Sequence, residues 1–124
     1  MIDHANSPHR AARATKGLDL FAQADYRGAA SELQAAFDAD PHSAETAFVL
    51  GWAWEGAGDA RRAISAWRAS AAIDPHLVPA HLALADAYLH LSERALAVQA
   101  LRAGLDALPD SVELQNKLAE IEKR

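Results

Sequence analysis

Six histidines, a set of turn-flanking aspartates and a short arginine run are the residues of this 124-residue chain whose types could do chemistry. Imidazoles could hold a metal, but a helical metal pair needs two of them at i, i+4. His81 and His90 stand nine apart on one expected helix, and His42 and His76 each follow a proline in different turns. His4 and His9 lie near the N-terminus. No four-ligand set assembles from these positions, so no metal is expected. The chain has no cysteine, which removes thiolate ligands, disulfides and thiol nucleophiles. Asp38, Asp40, Asp59 and Asp74 fall where turns are expected, and capping accounts for them. Gly56-Ala57-Gly58 reads as a helix end rather than a phosphate-binding loop, and no Ser, His and Asp set shares a cleft. Neither catalysis nor a cofactor is therefore expected. Arg61, Arg62 and Arg68 form the densest basic run and should decorate the outer face of a helix. With 17 acidic against 12 basic residues the formal charge is −5, which argues against a general nucleic-acid binder.

The elements that position these side chains are set by a repeat. Pro41, Pro75 and Pro109 are evenly spaced, and other columns coincide when the sequence is shifted by that same interval. Gly17, Gly51 and Ala85 align as small residues, Leu20, Trp54 and Tyr88 as large ones. Ala29, Ala63 and Ala97 align, as do Leu33, Trp67 and Leu101, and then Ala36, Ser70 and Gly104. Small residues let two helices cross closely, and large ones fill the space beside the crossing. Each proline stops a helix and displaces the residue before it from helical geometry. Inside each unit a second break falls at Asp25, Asp59 and Glu93. Aspartate is a good N-cap there; Glu93 is a poorer one, and Ser92 beside it could serve.

Each unit thus reads as helix, turn, helix, turn. The spacing predicts helices over 10–23, 26–38, 44–56, 60–72, 78–90, 94–107 and 111–123, an all-α solenoid of about seven helices in antiparallel pairs. The repeats run over about 10–43, 44–77 and 78–111, with a capping helix over 112–124, and residues 1–9 are expected to form a flexible tail. No linker or composition shift divides 10–124, so one domain is expected. The last helix puts Leu114, Leu118 and Ile121 on one stripe, with Glu113, Lys117, Glu120 and Lys123 polar, as the end of a solenoid requires. The N-terminal residues lack the apolar core of a signal peptide, and no apolar run nears the roughly 18 residues of a membrane span. A cytoplasmic protein is expected.

These columns resemble the tetratricopeptide repeat family, over roughly residues 10–124. The chain departs from the family where tryptophan is common early in the first helix: it carries Arg13, Ala47, His81 and Gln115 there. Lys16 replaces the leucine of the column held by Leu50, Leu84 and Leu118, and would solvate the exposed N-terminal end.

The resemblance implies a non-catalytic binding module, an adaptor or chaperone-like protein, whose first helices line a concave groove. The inward columns would be Ala11, Ala14, Leu18, Phe21 and Ala22; then Glu45, Phe48, Val49, Trp52, Glu55 and Gly56; then Leu82, Asp86, Leu89 and His90; and Asn116, Lys117 and Glu120 from the cap. The candidate partner-binding residues are Leu18, Phe21, Phe48, Val49, Trp52, Glu55, Leu82, Asp86, Leu89 and His90. Heat-shock cochaperones of the family hold a C-terminal carboxylate with Lys, Asn and Arg; here those columns carry Ala14, Leu18, Val49, Pro79 and Ala83. An apolar or amphipathic protein segment, with basic residues flanking it to suit Glu45, Glu55, Asp86 and Glu120, is the expected partner. Two other readings stand beside it: a tight superhelix in which these side chains mostly touch one another, and a self-assembling scaffold that forms homo-oligomers through the groove or the solenoid ends.

Overall fold

The computed structural model describes the chain from residue 7 to residue 123, with side chains from residue 12. Seven helices follow one another: α1 Ser7–Ala22, α2 Tyr26–Ala39, α3 Ala44–Gly56, α4 Ala60–Ile73, α5 Val78–His90, α6 Arg94–Ala107 and α7 Val112–Glu122. Each packs on the next, and α5 also meets α7. The short turns make neighbours antiparallel, so α1–α2, α3–α4 and α5–α6 form three pairs and α7 closes the stack. The helix limits match the repeat-derived ones within a residue except at α1, which begins at Ser7 rather than at 10, so residues 7–9 of the expected tail are helical. The rest of that tail, residues 1–6 with His4, and the side chains of His9 and Ala11 lie outside the described residues.

Local chemistry explains where helices start. Asp25 accepts from Gly28 N–H, Ser43 from Thr46 N–H, Asp59 from Arg62 N–H and Ser111 from Leu114 N–H, each satisfying a donor that the first turn leaves free. Helix α5 has no side-chain cap and carries proline in its first turn instead, where a missing N–H does no harm. Helix α6 also lacks a side-chain cap. The expectation that Ser92 could cap it is corrected: Ser92 sits at φ 60 as the turn residue ending α5.

Ser92 belongs to a column. Ala24 at φ 62, Gly58 at φ 85 and Ser92 recur one repeat apart, each just past the end of a first helix. In each turn the next residue's N–H reaches back five residues, Asp25 to Leu20, Asp59 to Trp54 and Glu93 to Tyr88, at 2.9, 2.9 and 2.8 Å. The turn residue's own N–H reaches back three, to Phe21, Glu55 and Leu89. This paired closure recovers the carbonyls a helix end leaves open and demands a left-handed residue. Only one of the three turns supplies glycine.

The core follows the small and large columns. Trp67 is 1% exposed, and an added Cβ on Gly51 would lie 2.3 Å from its Nε1. A Cβ on Gly17 would likewise meet Leu33 Cγ at 2.6 Å. Leu33, Trp67 and Leu101 are all fully buried, as are Ala29, Ala63 and Ala97. Buried polar groups are used as ties. Ser70 Oγ donates to Ala44 C=O at 2.8 Å, joining α4 to the start of α3. His81, buried and packed under Gly104, bonds Pro75 C=O through Nε2 at 2.8 Å; since a carbonyl only accepts, Nε2 carries the proton. Gln115 Nε2 does the same to Pro109 C=O at 2.8 Å. Two of the four residues in the family's tryptophan column, His81 and Gln115, thus clamp equivalent turns of successive units. Among the described residues no buried side-chain nitrogen or oxygen lacks a partner.

At the ends, polar groups take over. Lys16 is exposed and pairs with Glu32 at 3.9 Å. Leu114 and Ile121 are fully buried under α7, and Arg94 to Ile121 C=O at 3.0 Å and Arg102 to Glu122 at 2.9 Å tie α6 to it.

Candidate interaction groove

The first helices α1, α3 and α5, with α7, carry the columns expected to face inward. One column passes through Leu18, Trp52, Asp86 and Glu120, one residue from each successive unit. Its character changes along the chain from apolar to acidic. Leu18 is 49% exposed and Trp52 is 42% exposed, both high for large apolar side chains.

Trp52 is held in place from two sides. Its ring meets Phe48 edge-on at 6.3 Å between centroids and Trp67 edge-on at 5.0 Å. Phe48 is one turn earlier on α3, so the i, i+4 spacing brings the two rings together. Trp67 lies on α4 and donates its indole N–H to Phe48 C=O at 3.0 Å, which locks the ring beneath Trp52. The exposed indole therefore rests on a rigid aromatic floor, and such edge contacts add attraction beyond buried area.

The other expected anchors are placed differently. Phe21 is half-buried, edge-on to Tyr26 at 5.4 Å, and packs with Val49 against the cluster around Leu33 and Leu50. Phe48 packs against the cluster around Trp67. Leu82 and Leu89 are half-buried against the cluster of Ala85, Leu101, Leu114 and Ile121. These five share their apolar surface between the face and the core. Glu55 and His90 are exposed. Asp86 binds Lys117 at 2.7 Å, and Lys117 also lies 3.6 Å from Glu120. The hydrogen bond that Lys117 donates to Asp86 is the main cause that raises its ammonium above its ordinary value, with desolvation opposing it. The cation at the C-terminal half of the face is thus already engaged by carboxylates.

Among the described residues the exposed large apolar side chains outside these columns are Leu91, Leu96 and Val112. Leu91 and Leu96 could have been flagged by the repeat: Leu91 stands where the other units have Gln23 and Ala57, and Leu96 where they have Gly28 and Arg62. Among the described residues no three His, Asp or Glu side chains come together as a metal site would need. Among them no helix is long and apolar enough to cross a membrane.

No family model matches the chain, and no curated protein matches it in sequence. Solved structures do match. The first TPR of Spaghetti (RPAP3), bound to the HSP90 peptide SRMEEVD, superposes with a TM-score of 0.77 at 21% identity, covering 94% of this chain and 93% of that one. The Sgt2 TPR domain from Aspergillus fumigatus gives 0.76 at 18%, covering 94% and 79%. The Yersinia enterocolitica type III secretion chaperone SycD, in complex with a peptide of the translocator YopD, gives 0.77 at 17%, covering 97% and 92%. The chain has the tetratricopeptide-repeat fold.

Proposed function

We propose that this tetratricopeptide-repeat chain is a non-catalytic interaction module that holds an apolar or amphipathic segment of a partner protein on its first-helix face. Residues 10–124 act as one unit under this proposal. The observation that carries it is the pair Leu18 and Trp52, one repeat apart in a single column and each nearly half exposed. Exposed apolar surface on a soluble fold marks an interaction site. A tryptophan whose ring is already fixed by Phe48 and Trp67 loses little freedom on binding, which favours it as a hot spot.

Phe21, Phe48 and Val49 widen the apolar floor at the N-terminal half. Leu82 and Leu89 extend it, and Glu55, Asp86 and His90 give the C-terminal half its polar character. Two structural relatives carry peptides, from HSP90 and from YopD, which supports a peptide as the occupant. The HSP90 segment SRMEEVD is acidic; here Asp86 already binds Lys117, so basic residues beside an apolar stretch suit this face better. A single short segment would bind with micromolar affinity, about −8 kcal/mol.

The test compares the natural chain with a Leu18→Glu, Trp52→Ala variant as bait. Circular dichroism first establishes that the variant is folded. The partner recovered by the natural chain is then titrated against both by calorimetry. Loss of two hot-spot contacts is expected to weaken binding by about thirtyfold or more. Equal affinity of a folded variant would remove the groove from the function. Concentration-dependent self-association, lost in the variant and with no foreign partner retained, would instead select the homo-oligomeric scaffold.

A further inference from the structure

A second surface, on the second-helix side, has the opposite charge character. Three concavities of about 460, 450 and 320 Å³ run along α4. The first and middle ones share Arg61 and Leu91, and the middle and last share Arg68, Tyr88 and Leu96, so they form one continuous trough. Trp54 lines the first concavity and Gln99 the last. Trp54 is two residues from Trp52, so it leaves α3 on nearly the opposite side.

Leu91 is 45% exposed and Leu96 is 37% exposed, both in the wall of the middle concavity, with Ile64 and Tyr88 between them. Other repeats place small or polar residues at both positions, so packing within a unit does not demand leucine there. The guanidiniums along the trough are Arg27, Arg61, Arg62 and Arg68, against the carboxylates Asp59 and Glu93. Asp59 is already taken by Arg62 at 2.8 Å. Arg61 and Arg68 are exposed and make no ion pair or hydrogen bond among the described residues. A chain of net charge −5 therefore keeps a locally basic trough with two unengaged arginines beside exposed leucines.

The geometry points to a docking site for an acidic amphipathic helical segment of a partner protein. Arg61, Ser65 and Arg68 follow i, i+4, i+7 on one side of α4, which sets the two arginine Cα atoms about 10 Å apart along the axis. A helix laid along the trough would meet their guanidiniums with carboxylates two turns apart. Its apolar residues, three and four positions on, would rest on Ile64, Leu91 and Leu96. Guanidinium and carboxylate suit each other because two parallel N–H donors face two acceptor oxygens. Charge complementarity chooses this occupant over a basic or neutral helix, and the site is independent of the first-helix face.

The probe is a synthetic helical peptide with Glu at i and i+7 and Leu at i+3 and i+4, fluorescently labelled and read by anisotropy. The natural chain and the Leu18→Glu, Trp52→Ala variant are expected to bind it equally. An Arg61→Gln, Arg68→Gln variant should bind at least about tenfold more weakly, as should Leu91→Gln, Leu96→Gln, and the peptide with Lys in place of Glu. Added salt should weaken binding of the acidic peptide. Binding untouched by both trough variants, or lost in the groove variant instead, would overturn the site. If the leucine variant alone binds as well as the natural chain, the amphipathic occupant is wrong. A single-stranded oligonucleotide bound as tightly, and lost with Arg61 and Arg68, would replace the peptide by a nucleic acid. Self-association lost in the arginine variant would make the occupant a second copy and overturn the foreign segment.

Discussion

Replacing Gly51 by alanine adds one methyl group at the crossing of α3 and α4. That carbon would sit 2.3 Å from Trp67 Nε1 and 2.5 Å from Cδ1 and Cε2. Heavy atoms attract best at about 3.5–4.0 Å, so the indole must retreat by roughly 1 Å. It has nowhere to go: Trp67 is 1% exposed and its N–H is anchored on Phe48 C=O. Overpacking of this kind costs about 1–3 kcal/mol. Straining the buried indole hydrogen bond adds about 1 kcal/mol. Alanine's better helix propensity returns about 1 kcal/mol. The net expectation is a loss of about 2 kcal/mol, seen in urea unfolding as a lower midpoint at unchanged slope. In a thermal melt a chain of this size should lose about 8 °C. The third repeat supplies the control, since Ala85 and Leu101 occupy the same two columns and are both fully buried. In a Trp67→Leu background, Gly51→Ala is therefore expected to be neutral or stabilising by up to about 1 kcal/mol, a coupling of about 2–3 kcal/mol between the sites. An equal cost in both backgrounds would refute a clash with the indole as the cause.

The left-handed turn column supplies a second prediction. Ala24→Gly and Ser92→Gly should each stabilise by about 0.5–1 kcal/mol, because relief of the left-handed strain exceeds glycine's entropy. Gly58→Ala should destabilise by about 1 kcal/mol for the same reason; thermal melts of the three variants check the signs, and a lower Tm for either glycine variant would contradict them. Asp59 titrates below its ordinary 3.8, first because Arg62 N–H bonds its carboxylate, against desolvation, and then through the Arg62 side chain. A depressed folded value means that its contribution is present above the ordinary carboxylate range and is lost as pH falls through the folded value. Asp59→Asn keeps a capping acceptor without titrating, so its acid unfolding curve should fall off less steeply than that of the natural chain; identical slopes would count against a lowered folded-state titration of Asp59.

The repeat was legible because its signals are local. Pro41, Pro75 and Pro109 stop helices through their own ring geometry, and Asp25 and Asp59 start them through bonds three residues long; the structure adds Ser43 and Ser111 as caps of the same kind. Helix α1 was less legible because it starts ahead of the repeat columns; Ser7-Pro8, a serine followed by a proline at the helix start, was the available signal. Ser92 shows where local logic misleads: serine suits an N-cap, but the closure from Glu93 N–H to Tyr88 C=O assigns it to the preceding helix end. Its alignment with Gly58 was the available signal.

The columns of the first-helix face were also readable from spacing alone, and so were the residue types on each. How much of each side chain faces water was not. Phe48, Leu82 and Leu89 stand on the expected inward columns yet are largely taken up by the core, whereas Leu18 and Trp52 keep 49% and 42% of their surface exposed. The trough between Arg61, Arg68, Leu91 and Leu96 joins three successive helices, α4, the end of α5 and α6, whose side chains meet only through their packing. Periodicity records which side of its own helix a residue occupies. Exposure is a sum over neighbouring helices, set by the crossing distances that Gly51 on Trp67 and Ala85 on Leu101 allow, and it exists only once the pairs have stacked.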